Sequence, residues 1–364
     1  MTWLARLVVL SGLLFAACSG GGGGETVDAM GGDATPDAPT MFAFDYTPSW
    51  GGVQTVEVFG AFGQATDWTM PFMTLTAAAG GYTGTAMLSP GPHPYILHVV
   101  GDGDAGGRAA TLSRYAVDPA SVAVTSCPAG PSYSATAMNP CAVAQLGPTA
   151  PRQHIHGRVV KAGVGVAGFL VSLDRAETGY GSYFVDRVTT GADGTYDFQA
   201  AAGAYRLIVQ HPQFESSNDA QLSPDTLGIV RQIQTNAFTV EGEAGIALSD
   251  AEVGFPDYAK LMPRTTGTLP TTFMFGNSTD ATQLQVYGTA KAGTGDEIGS
   301  AWFVSAAVKN GSAIFDGTFT TAQATETVVA KGERYFWGIQ RAAPADVNGI
   351  IWTTQSLVYP LTWN

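Results

Sequence analysis

The chemistry this chain could perform rests on few residues: 3 cysteines, 5 histidines, a glycine-rich loop and scattered acids. Cys18 closes an apolar run after Phe15-Ala16-Ala17, while Cys127 and Cys141 bracket a segment holding Pro128, Gly130, Pro131 and Pro140. The latter pair lacks the CxxC spacing of a metal site, and no histidine accompanies it. His154 and His156 alternate in a strand-like run, on one face with Arg158. That spacing suits a metal only if a third ligand joins, and none is evident, so a solvated strand end is expected. His93, His98 and His211 have no acid paired nearby that would make one of them a general base. Gly163-Val164-Gly165-Val166-Ala167-Gly168 satisfies GxGxxG, with Asp186 downstream. A dinucleotide loop must open a helix, whereas Phe169–Leu173 alternates like a strand, which predicts a hairpin connection. Asp102-Gly103-Asp104 to Gly107 reads as a flexible acidic loop with too few oxygen ligands for calcium. GxSxG, HExxH and P-loop patterns do not occur in the sequence. The expectation is no catalytic residue, no metal site, no cofactor and no enzymatic activity.

The elements that would position these residues begin with an export signal over 1–17. Arg6 supplies the positive region, and Leu7–Ala17 is an apolar run well short of the roughly 20 residues needed to span a bilayer. The ending Phe15-Ala16-Ala17-Cys18 resembles the lipobox of bacterial lipoproteins, with Phe15 where Leu, Val or Ile is usual. The resemblance implies cleavage before Cys18, lipidation of Cys18 and anchoring to a membrane. Ser19 rather than Asp after the cysteine implies, in that family, sorting to the outer membrane. Ser19 to Gly24, then Glu25, Asp28, Asp33 and Asp37 with no Lys or Arg, make 18–40 a flexible tether. An exported chain meets an oxidising compartment, so a Cys127–Cys141 disulfide is the default, worth roughly 3 kcal/mol in the chain-entropy view.

Composition narrows the rest. The 364 residues carry a net charge of −13, which excludes a broad electrostatic grip on nucleic acid. Charged residues are only 13%, too few for coiled coils or long amphipathic helices, while 45% hydrophobic residues can build real cores. Short apolar runs punctuated by Gly, Pro and Asp turns predict an all-β fold of three consecutive sandwiches, over 41–126, 152–255 and 256–364, with a Cys/Pro-rich linker at 127–151. One helix is predicted from Ser223-Pro224-Asp225 through Leu227, Val230 and Ile233.

Each sandwich carries a resemblance. Val56-Glu57-Val58-Phe59-Gly60-Ala61-Phe62, Trp68, Gly81-Tyr82, Pro90 to Tyr95 and Tyr115-Ala116-Val117-Asp118-Pro119 resemble the early-set immunoglobulin-like sandwich of glycogen-binding modules. In that family two tryptophans and a lysine bind sugar. Trp68 matches the first tryptophan, Ile96 stands at the lysine position, and the second tryptophan is lacking. Thr190-Gly191-Ala192-Asp193-Gly194-Thr195-Tyr196-Asp197-Phe198 and Ala202-Gly203-Ala204-Tyr205-Arg206-Leu207-Ile208-Val209 resemble the carboxypeptidase regulatory-like, transthyretin-type sandwich, usually an interaction or structural module. Gly332 to Trp337 followed by Asn348 to Trp352 resembles the last strands of a fibronectin type III module. The resulting expectation is a non-catalytic, lipid-anchored envelope protein with a structural, adhesion or interaction role, whose partner is a polysaccharide or an envelope protein. The alternatives are a surface α-glucan-binding lipoprotein using Trp68, and an accessory subunit or enzyme with a site between domains.

Overall fold

Strict alternation of apolar and polar residues sends successive side chains to opposite sides of a strand, so a run such as Val56-Glu57-Val58-Phe59 must build a two-faced sheet. A computed structural model describes residues 38–105, 108–127, 140–144, 151–179, 182–212, 232–241, 245–254, 266–274, 281–288, 304–307, 312–318, 331–332, 334–355 and 359–364. The expected signal peptide, Cys18 and the expected tether up to Asp37 lie outside these residues. The architecture is all-β, and Pro39–Asn364 form one compact unit.

The first sandwich holds β1 (Thr40–Tyr46), β2 (Val53–Gly60), β3 (Met73–Thr74), β4 (Thr76–Ala78), β5 (Gly81–Leu88), β6 (His93–Ala105), β7 (Arg108–Ala116), β8 (Val124–Ser126) and β9 (Pro140–Ala144). One sheet runs β1-β5-β4, and the other β3-β2-β6-β9-β8 with β7 added along β6. Phe44 and Tyr46 from the first sheet meet Val56, Val58, Leu97 and Val99 from the second, all buried. Asp102 to Ala105, predicted as an acidic loop, instead extend β6 against β7, with Asp102 opposite Thr111. Asp102 accepts a hydrogen bond from Gln54 at 2.8 Å, so ladder pairing across the hairpin orders what local composition made look loose.

The second sandwich holds β10 (Gln153–Lys161), β11 (Val164–Gly165), β12 (Leu170–Arg175), β13 (Tyr183–Thr189), β14 (Thr195–Ala200), β15 (Gly203–Gln210), β16 (Gln232–Thr235), β17 (Phe238–Val240), β18 (Ile246–Ala247) and β19 (Ala251–Glu252). The GxGxxG stretch is a β-connection: Ala162 and Gly163 turn at φ 52° and 76° between β10 and β11, as the strand pattern predicted. Asp193-Gly194 makes the tight turn into β14, with Gly194 at φ 80°, a conformation that favours glycine. Ile233, the last position of the predicted helix, lies instead in β16, because pairing on both sides outweighs a local helix signal. The rest of that helix falls outside the described residues.

The last segment holds β20 (Thr266–Gly267), β21 (Thr271–Met274), β22 (Ala281–Gly288), β23 (Val304–Ala307), β24 (Ser312–Phe315), β25 (Arg334–Ala342), β26 (Trp352–Gln355) and β27 (Tyr359–Trp363). Phe273 from the β21-β24 pair packs on Trp337 of β25 with ring centroids 4.9 Å apart. β16 pairs antiparallel with β26 from Gln232↔Gln355 to Thr235↔Trp352. A single 11-stranded sheet therefore runs β13-β12-β15-β16-β26-β25-β22-β23 through the second and third segments, with β17, β20 and β27 alongside.

The first sandwich is fastened to the second by buried and part-buried polar contacts. The guanidinium of Arg175, 1% exposed, donates to the carbonyls of Ser121 and Val122 and to the Tyr205 hydroxyl. The Ser49 amide donates to both Asp186 oxygens at 3.0 and 3.1 Å, and Arg187 lies over the Trp50 ring at 4.8 Å. Main-chain bonds Val117 N to Phe184 O and Ala201 N to Pro119 O complete the seam.

Candidate functional site: the outward sheet face of the first sandwich

Because Val56 and Val58 point into the core, Glu57 and Phe59 must point out. Glu57 pairs directly with His98 of β6, and His98 pairs with Tyr115 of β7. Direct cross-strand partners share a face, and Ser113 and Phe59 join them by the period of two. Three polar side chains, Glu57, His98 and Ser113, and the rings of Phe59 and Tyr115 thus converge on one face from three strands, beside the buried Ile96. His98 Nδ1 lies 2.9 Å from Glu57 Oε2, and His98 Nε2 lies 2.7 Å from Ser113 Oγ. The Tyr115 ring stacks on His98 at 4.7 Å, and Phe59 meets both rings edge-on at 6.0 Å. The His98 and Glu57 side chains are 19% and 25% exposed, so the pair is held but still reachable.

This corrects the expectation that no histidine has a paired acid. His98 has Glu57, and His154 has Asp197 of β14 at 2.9 Å. The partners sit 41 and 43 residues away and are brought in by strand register, which no local spacing displays. His156 is exposed on the same strand as His154, Arg158 pairs with Asp250 at 2.7 Å, and no cluster able to hold a metal is found among the described residues.

A carboxylate–imidazole–hydroxyl chain polarises a serine oxygen, but acyl transfer also needs donors aimed at the developing oxyanion. Backbone N–H groups of a strand lie in the plane of the sheet, towards neighbouring strands, and not above the face where Ser113 Oγ sits. The arrangement is better suited to hold a ligand by hydrogen bonds between flanking aromatic rings.

Trp68 lies elsewhere, in the 65–69 turn after β2, half-buried with φ 64°. The side chains on either side of that turn close it: Asp67 accepts from the amides of Gly63 and Gln64, and Phe62 stacks on Phe72 at 4.0 Å. Ile96, at the family's lysine position, is fully buried. Cys127 and Cys141 are joined by a disulfide, Cα–Cα 5.1 Å, beside the β8-β9 pair. Cys18 lies outside the described residues.

Deeper in the same sandwich the Tyr95 hydroxyl donates to Asp118 Oδ2 at 2.6 Å. Burial raises the Asp118 carboxyl, and it raises Asp186 to about 7, against the opposing hydrogen bonds from Ser49 and the Arg187 amide. Asp186 serves the seam between sandwiches, whereas Asp118 is held within the first sandwich by Tyr95 and the Ala120 amide.

The fold and this face define a class: linked β-sandwiches presenting a rigid polar and aromatic sheet surface. Within it, the carboxypeptidase regulatory-like domain family matches residues 154–232, where the sequence resemblance placed it. No curated protein matches the chain. Among solved structures it is similar to a DUF3823 family protein from Parabacteroides merdae ATCC 43184, with 15% identity over 58% of this chain and 100% of that one, TM-score 0.20. A DUF3823 family protein from Bacteroides uniformis ATCC 8492 matches with 12% identity over 59% and 100%, TM-score 0.19.

Proposed function

We propose that this chain is a non-catalytic binding protein of the cell envelope, anchored through lipidated Cys18, exported to the outer membrane, and engaging a polysaccharide or envelope protein through the outward face of its first sandwich. The observation that carries this reading is the Glu57–His98–Ser113 hydrogen-bond chain flanked by Phe59 and Tyr115. Its side chains are already ordered by one another, so little rotamer entropy remains to be lost on association. The aromatic pair supplies area, and the polar chain supplies direction. The seam contacts and the shared sheet hold the sandwiches and the last segment as one support for that face.

The anchor has its own test. Cys18→Ala abolishes labelling by a palmitate analogue; a mutant that still labels contradicts the anchor. A second reading, α-glucan binding by Trp68, is favoured by the partial exposure of that ring on a loop. Retention on insoluble α-glucan, repeated with Trp68→Ala, tests it: equal retention of both proteins removes Trp68 from any glycan role.

A further inference from the structure

The 11-stranded sheet carries a second candidate site, on the face turned away from its core. Register places Asp174 beside Arg206, Gln234 beside Thr353, and Thr353 beside Ala342. Their neighbours along the strands, Leu173, Leu207, Ile233 and Trp352, are buried on the other side. A cleft of about 590 Å³ opens over Arg206, Gln234, Thr353 and Ala342, where β16 meets β26, and Ser182 and Ile351 help to wall it, while Asp174 does not line it.

The polar groups are paired loosely. Arg206 Nη2 stands 3.5 Å from Asp174 Oδ2, and the Ser182 hydroxyl donates to the same oxygen at 3.1 Å. Arg206 Nε is buried and has no hydrogen-bond partner among the described residues. Gln234 is half-buried, and its Oε1 accepts from Gln232 Nε2 at 3.4 Å. A donor fork on one side, an amide and a hydroxyl on the neighbouring strands, and aliphatic Ala342 and Ile351 beyond them match a ring bearing adjacent hydroxyls. Each sugar hydroxyl donates and accepts, and the C–H face is apolar. Asp174 already partners the Arg206 guanidinium, which weakens its draw on an anion, and a peptide strand finds no free ladder edge, because β16 is paired on both sides here.

We propose that this cleft binds a saccharide of one or two rings, held by Arg206, Gln234 and Thr353, with Asp174 orienting the Arg206 guanidinium. The volume falls within the roughly 300–1,000 Å³ usual for small-ligand sites. The site is separate from the sheet face of the first sandwich, so either can fail alone.

Saturation-transfer NMR of the full chain with glucose, galactose, mannose, maltose and cellobiose tests it. Transfer to at least one sugar is expected, weakened roughly tenfold or more in Arg206→Gln, since a charge-assisted hydrogen bond is removed. Thr353→Val keeps the volume and removes a hydroxyl, and Ala237→Leu narrows the exposed rim without touching the core. Both are expected to weaken binding with an unchanged melting temperature, so the outcome does not depend on Arg206→Gln folding. No transfer to any of the five sugars, or equal transfer in Thr353→Val and Ala237→Leu, overturns the proposal.

Discussion

Asp186 is 3% exposed and holds the Ser49 amide with both oxygens, yet burial raises its carboxyl to about 7. In the unfolded chain the same carboxyl titrates near 3.8. Between those values the folded state binds the extra proton, so its contribution is fully present below about pH 4 and is lost as pH rises through 7. The loss is at most roughly 4 kcal/mol. Asp118 and Asp174 are also raised by burial and act in the same direction. Asp186→Asn keeps an acceptor for Ser49 and removes the titration. Urea midpoints from pH 4.5 to 7.5 are expected to fall more steeply in the wild type than in Asp186→Asn; parallel curves would contradict this. On the outward face, Ser113→Ala is expected to change stability by less than about 1 kcal/mol, as for most exposed positions, while weakening ligand retention. The residues of this face were readable singly, and their pairing was not. Glu57, His98 and Ser113 lie in three strands, and a one-residue slip in either ladder would send one of them into the core.

Elements were legible where local pattern and tertiary pairing agree. The alternation of β2, β14 and β15 and the Asp193-Gly194 turn place core and surface correctly from sequence alone. They were illegible where pairing decides, as in Asp102–Ala105 becoming strand and Ile233 joining β16. Arg175 shows the same limit. It continues the row of Phe169, Val171 and Leu173, and nothing local shows that the first sandwich supplies carbonyls to it at Ser121 and Val122. Arg175→Ala leaves those acceptors and the Tyr205 hydroxyl without their charged donor, an expected cost of roughly 3–5 kcal/mol in equilibrium unfolding. A change below about 1 kcal/mol would mean the seam is solvated. Reducing the Cys127–Cys141 bond is expected to cost about 2–4 kcal/mol, read as a lowered urea midpoint.

At the scale of the whole chain, a net charge of −13 and a shared sheet describe an acidic support joined by continuous hydrogen bonding across β16 and β26. The sequence led to an expectation of three separate segments, and the sheet shared across β16 and β26 was not foreseen, because no local signal marks a strand that pairs outside its own sandwich. The central claim is that the first sandwich's outward face makes the contact. The direct measurement is retention of the purified full-length chain, in detergent, on delipidated cell envelopes, compared with His98→Ala and Tyr115→Ala proteins of matched melting temperature. The account expects wild-type retention and a loss of roughly tenfold or more in each variant, the scale of a central binding residue. Equal retention of all three proteins would contradict it.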